Sequence, residues 1–311
     1  MDTAVDTLVK PFIDASEMWV PDGDRLVHAG GNYGDLTEFR SQSEQESFAK
    51  GEGLPGKAWA EGRPVVLKEF DGSYFKRTEA AKAAGLTAAV AIPVFDGSTL
   101  KAVLVVLCSD SEDRIGAIEI WENRDDLLML DDGYYGAAKQ FEWVSQHTHF
   151  PPGQGLPGGV WASDTPILMR DLGSGYKFIR AESAGKAGLT TGLGLPIPAP
   201  GKTTYVLTLL SALGTPIAHR FEIWDARPSK VGQDKAAVLA DGICAREGAL
   251  WSDETQAERR VKAWEGLVGK VLGSGLPVVE RGGAGTHGYE TFVGLPIYRE
   301  GQVSRVVAWY C

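Results

Sequence analysis

Cysteine is scarce in this chain: Cys108, Cys244 and Cys311 are the only three, and they lie far apart. That count and spacing exclude a disulfide framework and a cysteine-based metal cluster, and they fit a reducing cytoplasm. Basic residues are also short, 31 Lys and Arg against 41 Asp and Glu, for a net charge of −10. Nucleic acid needs a basic footprint and an anionic membrane surface attracts one, so neither is an expected partner. Long apolar runs are missing too. The longest, residues 102–108, is far below the ~20 residues that cross a bilayer. The first residues, Met-Asp-Thr-Ala-Val-Asp, have neither the basic start nor the apolar stretch of a secretory signal.

What the chain does have is repetition. Gly51-Glu-Gly-Leu-Pro-Gly-Lys-Ala-Trp59 returns as Gly153-Gln-Gly-Leu-Pro-Gly-Gly-Val-Trp161, 102 residues on, and in altered form as Trp264-Glu-Gly-Leu-Val-Gly-Lys-Val-Leu272. A period near 100 exceeds the ~20–50 of a solenoid unit and matches a small domain. The chain therefore reads as one module used three times, over residues 1–112, 113–216 and 217–311.

Within the first module, Val5, Leu8, Val9, Phe12 and Ile13 have the spacing of a short helix with one packed face. A hairpin follows from Glu17, turning at Pro-Asp-Gly-Asp. Residues 35–50 suit a polar helix anchored by Phe39, and the Gly-rich signature starts a helix near Gly56. A short strand after Pro64, an Ala-rich helix over residues 75–85 and two strands, 87–94 and 100–109, complete the module. The last strand is nearly all apolar, as a strand covered on both faces should be. The second module repeats this order. The third lacks the Ala-rich helix, with Gly282-Gly-Ala-Gly-Thr-His-Gly288 in its place.

The order and its motifs resemble the GAF domain family. In the first copy the matching residues are Gly53-Leu-Pro-Gly56, Trp59, Pro64, Phe75, Arg77, Glu79, Gly85-Leu86 and Ile92-Pro93. In the second they are Gly155-Leu-Pro-Gly158, Trp161, Pro166, Phe178, Arg180, Glu182, Gly188-Leu189 and Leu195-Pro196. The third is similar only at Gly266-Leu-Val-Gly269, Pro277 and Leu295-Pro296. The resemblance implies an α+β fold of three tandem GAF-like modules, each a central antiparallel sheet of about six strands flanked by helices. It also implies small-molecule sensing (of cyclic nucleotides, bilins, haem or amino acids) or dimerisation.

Carried over by motif, the candidate ligand-binding residues are Trp59, Phe75, Arg77 and Glu79 in the first module and Trp161, Tyr176, Phe178 and Arg180 in the second. Each has a structural alternative. The tryptophans suit core anchors, and the arginines suit ion pairs with Glu79 and Glu182 at the helix start. The Gly-rich loop suits a turn that locks helix to sheet, since no phosphate-loop Lys-Ser/Thr follows. His147-Thr-His149 lacks a third metal ligand and reads as a solvated loop. Tyr33, Tyr134 and Tyr135 read as surface aromatics at the end of the hairpin.

The expected function is non-catalytic: small-molecule binding through modules 1 and 2, cofactor unspecified, with signalling by protein contacts. The alternative is a scaffold that self-assembles as a homo-oligomer or with a partner protein, helped by an open edge strand at residues 303–311. A redox enzyme similar to free methionine sulfoxide reductases is a weaker alternative. It would need thiols by the pocket loops, where Pro55 and Pro157 stand.

Overall fold

The computed structural model describes residues 10–109, 113–174, 177–201, 203–226, 235–250, 259–283 and 285–311. Of the N-terminal apolar pattern, Val5, Leu8 and Val9 lie outside the described residues. Phe12 and Ile13 are buried and not helical.

The first unit runs β1 (Ala15–Asp22), β2 (Arg25–Asn32), α1 (Thr37–Gln45), β3 (Ser47–Ala49), α2 (Gly53–Glu61), β4 (Val65–Leu67), α3 (Thr78–Ala83), β5 (Ala88–Asp96) and β6 (Thr99–Cys108). The second runs β7 (Ile115–Arg124), β8 (Leu127–Gly136), α4 (Lys139–Gln146), α5 (Gly155–Ser163), β9 (Ile167–Arg170), α6 (Ala181–Ala187), β10 (Leu189–Ile197) and β11 (Tyr205–Ala212). The third runs β12 (Arg220–Asp225), β13 (Ala236–Cys244), β14 (Gly248–Ala249), β15 (Arg260–Lys262), α7 (Gly266–Ser274), β16 (Val278–Arg281), β17 (Thr291–Arg299) and β18 (Gln302–Tyr310). Each unit makes one antiparallel sheet. The strand orders are β3-β2-β1-β6-β5-β4, β8-β7-β11-β10-β9 and β14-β13-β12-β18-β17-β16, with β15 also on β13. The α+β fold is consistent with the GAF-like modules that the resemblance implied.

Two local expectations change. Phe48 sits on β3, not at the end of a helix, because residues 47–49 pair with β2 after α1 stops at Gln45. The strand at residues 303–311 is no open edge: β18 lies between β12 and β17 and bonds to both.

The signature does the same structural work three times. Gly53, Gly155 and Gly266 open α2, α5 and α7 with φ of +59°, +62° and +61°, where a side chain would be strained. A Cβ on Gly56, Gly158 or Gly269 would fall 2.1, 2.2 or 2.3 Å from the carbonyl oxygen of Ala49, Pro151 or Lys262. The helix can therefore lie against the strand or loop before it only if that residue is glycine. Gly158→Ala is expected to destabilise the chain by ~1–3 kcal/mol in urea unfolding. Gly214→Ala, where a Cβ meets nothing within 4 Å, should leave stability nearly unchanged.

Alternation along the strands explains why so much of the sequence is apolar. On β6, Val103, Val105 and Leu107 face the helices of their own unit, while Leu104, Val106 and Cys108 face away. The away-facing residues meet Ile118, Ile120, Leu193, Leu195, Leu207 and Leu209 of the second sheet and Phe221, Ile223, Val293, Val307 and Trp309 of the third, in one core. The three sheets thus pack back to back.

The packing is cyclic. Residues at the β4 end of the first sheet reach β8, through Arg63–Asp131 at 2.7 Å and Lys68–Asp132 at 2.9 Å. Arg170 of β9 donates to the Gly242 carbonyl of β13 at 2.8 Å. β16 lies against β1 and β2, where Arg281 donates to the Gly34 carbonyl at 2.7 Å. One edge of each sheet is thereby covered by the next unit, and the third returns to the first. Tyr33, Tyr134 and Tyr135 are buried, not surface aromatics. Tyr134 does join units, packing on Phe12 and donating to the Ser109 carbonyl at 3.0 Å.

Candidate functional site

A glutamate lies two residues before a tryptophan on the first strand of each sheet: Glu17 and Trp19, Glu119 and Trp121, Glu222 and Trp224. Period-2 alternation puts both side chains on the helix-facing side. The register slips just before each tryptophan, between Met18 and Trp19, Ile120 and Trp121, and Ile223 and Trp224. The extra residue is on the partner strand each time, Ala29, Asp131 and Ala240, so the glutamate–tryptophan strand keeps its own alternation. Each indole Nε1 donates to its own glutamate, at 3.2, 3.2 and 2.9 Å. All three carboxylates are fully buried.

In the first unit the counter-charge is Arg77, at the N-cap of α3. Its Nη2 donates to Glu17 Oε2 at 2.9 Å, and Nη1 reaches Glu17 Oε1 and the Ser43 hydroxyl. The guanidinium carbon lies 4.7 Å from the Phe39 ring centroid, 5.3 Å from Phe75, 5.4 Å from Trp19 and 6.0 Å from Phe48. The second unit repeats the box. Arg180 Nη2 donates to Glu119 Oε2 at 2.9 Å and Nη1 contacts Glu119 and Ser145. Phe141, Trp121, Phe178 and Phe150 surround it at 4.6, 5.1, 5.2 and 5.5 Å. Burial alone would raise both carboxylates; the charge and hydrogen bonds of the arginines outweigh it and hold them below the ordinary value.

The candidate residues therefore separate. Phe75 with Arg77, and Phe178 with Arg180, come together around the buried glutamates. Trp59 and Trp161 are half-buried and pack against the helix-side cores from α2 and α5. Glu79 points to solvent, 3.8 Å from Lys82, and Glu182 pairs with Lys186 at 2.7 Å. The expected helix-start pairs with Arg77 and Arg180 do not form, since side chains two apart on a helix do not face each other. Tyr176 lies outside the described residues. Glu17, Ser43, Glu119 and Ser145 were not among the candidates. A glutamate inside an apolar strand, recurring beside a tryptophan, was the signal for the two acids.

The third unit solves the same problem differently. No helix lies between β16 and β17 among the described residues, so no Arg comes from that side. Arg220, two residues before Glu222, takes over: its Nε donates to Glu222 Oε1 at 2.7 Å and its Nη1 to Glu247 at 2.6 Å. The equivalent positions, Ala15 and Ala117, are too small to do this. Tyr310, opposite Arg220 on β18, donates to Glu222 Oε2 at 3.0 Å. Burial opposes the charge on Arg220, and Glu222 and Glu247 more than offset it.

Above this pair opens a cavity of about 390 Å³, walled by Trp224, Val261, Leu267, Val268, Arg259 and His287. Burial pushes the His287 imidazole below its ordinary value, helped by the Arg220 charge. Cys244 belongs to the helix-side core of this unit, its Sγ 3.2 Å from the Tyr289 hydroxyl and 3.7 Å from Glu247; the other two thiols lie elsewhere. Cys108 faces the shared core, where burial pushes its pKa well up, and Cys311 donates to the Ile217 carbonyl at 3.0 Å. A thiol raised in this way is a poor nucleophile.

Residues 1–122 match the GAF domain in the family comparison. No curated protein sequence matches the chain. Among solved structures it is similar to the nlh2 GAF domain of A. aeolicus in an inactive state, at 24% identity over 32% of this chain and 59% of that one, TM-score 0.27. It is similar to free methionine-R-sulfoxide reductase of Neisseria meningitidis in complex with its substrate, at 19% identity over 31% and 52%, TM-score 0.25. A GAF domain from a phosphoenolpyruvate-protein phosphotransferase of Coxiella burnetii is similar at 18% identity over 31% and 56%, TM-score 0.26. The chain spans about half the length of these structures. The family match thus covers the first unit and the start of the second, and identifies a GAF domain over residues 1–122.

Proposed function

We propose that this chain is a non-catalytic small-molecule-binding GAF protein whose binding site is the helix-side cavity of the third unit. The first two units serve as its scaffold. The observation that supports this is the contrast between the three buried glutamates. Above Glu17 and Glu119 the space under the helix is taken by Arg77 and Arg180 in their aromatic boxes. Above Glu222 no helix lies between β16 and β17 among the described residues, the counter-charge comes from the strand below, and a cavity of about 390 Å³ remains. Mostly apolar walls over a few fixed polar groups are the usual character of a ligand pocket, and ~300–1,000 Å³ is the usual size.

The test is a thermal-shift screen of the full chain against nucleotides, amino acids and tetrapyrroles. A ligand at a hundred times its Kd is expected to add ~2.7 kcal/mol of stability. Leu267→Trp, which fills the cavity, should abolish that gain. A gain that survives Leu267→Trp undiminished, or no gain from any compound, rejects the reading. The filled boxes of the first two units favour the second reading, a structural scaffold. It is the one left standing if no compound stabilises and light scattering shows a defined assembly.

A further inference from the structure

A second cavity, of about 490 Å³, lies at the seam where the third sheet returns to the first. Its floor residues Ile13, Val293 and Trp309 belong to the shared core, while Tyr289 on its wall belongs to the helix-side core of the third unit. Across the seam, Asn32 Nδ2 donates to Thr291 Oγ1 at 2.6 Å, so both units hold the rim. One wall is a stack: the Arg246 guanidinium lies 4.4 Å from the Tyr289 ring centroid, and Tyr289 runs parallel to His219 at 5.8 Å and 9°.

The seam between the first and second sheets is built differently. It is lined by Lys68, Asp71, Lys82 and Glu142, and these pair with one another: Lys68 with Glu142 at 3.6 Å and Lys82 with Asp71. At the third seam the charges are fewer. Asp14 is engaged by Arg114 at 2.8 Å and by the Ser109 amide at 2.7 Å. Arg246 is exposed and pairs with no carboxylate among the described residues.

We propose that this seam cavity binds a planar aromatic monocarboxylate. The ring inserts against Tyr289 and the apolar floor, and the carboxylate is held by Arg246. A flat aromatic buries ~150–250 Å² and gains further from offset stacking on another ring. A guanidinium already stacked on that wall offers two parallel donors to a carboxylate. Glu290 on the rim disfavours a second negative charge. Because both units line the cavity, an occupant also ties the third sheet to the first.

The experiment is calorimetric titration of the full chain with 1-naphthoate and with its neutral isostere 1-naphthamide. One saturable site for the carboxylate is expected, with the amide at least about tenfold weaker. Arg246→Gln, on an exposed side chain, should cost about tenfold for 1-naphthoate and nothing for the amide. Leu267→Trp should leave 1-naphthoate binding unchanged, which separates this site from the helix-side cavity. The proposal is overturned if 1-naphthoate does not saturate, if the two compounds bind alike, if Arg246→Gln has no effect, or if Leu267→Trp removes binding.

Discussion

Glu119→Ala will lower the stability of this chain by ~3–5 kcal/mol, among the largest losses a single substitution here can cause. The substitution leaves Arg180 enclosed by four aromatic rings with no counter-charge. The loss does not mean that the pair itself adds that much. Taking two charges out of water costs several kcal/mol per ion, so a matched apolar pair could do nearly as well. Glu119→Met combined with Arg180→Met should therefore cost much less than the two single changes added together, as a double-mutant cycle in urea will show.

The loss should also depend on pH with a definite sign. Arg180 holds the Glu119 carboxylate below its ordinary value against the pull of burial. The stability it contributes is complete above the ordinary carboxylate pKa of ~4.3 and disappears as pH falls through the depressed folded-state value. The gap between the parent chain and Glu119→Ala should narrow over that acid range. A gap that stays constant from pH 7 to pH 3 would show that the ion pair is not its cause.

Leu207→Ala will destabilise all three units, not only the second. Leu207 is fully buried on β11, in the core shared by the three sheets. Removing its isobutyl group should cost ~2–5 kcal/mol. The chain should unfold in one cooperative transition, with amide exchange on β6 and β18 accelerating as much as on β11. Acceleration confined to residues 113–216 would show that the units unfold independently.

The rest of the chain shows why one partner was legible and another was not. The Arg77–Glu79 spacing is a local pattern, whereas the partner Arg77 takes, Glu17, is sixty residues away. No helical or strand period connects them. Only the sheet, with α3 laid across it, brings the two together. Gly158 was the reverse case: its need for a bare backbone follows from a local turn, and the turn recurs wherever the signature does. In the third unit the lost helix could be read directly from the Gly-rich substitute at residues 282–288. That Arg220 replaces its arginine could not, since this depends on which side of β12 the residue occupies and on Tyr310 opposite it.

The sequence alone determined the repeat, the hairpins, the signature helices and the missing helix. These depend on backbone conformation and on apolar periods of a few residues, which neighbouring side chains dictate. It also showed that β6 is covered on both faces, since that strand alternates between two apolar sets. What covered the second face was decided only by the tertiary structure. Three apolar sheet backs can each be removed from water only against the others, and a closed three-sheet packing satisfies all of them at once. The same closure, together with one absent helix, leaves a cavity over Glu222 and another at the seam, where short-range pattern has no influence.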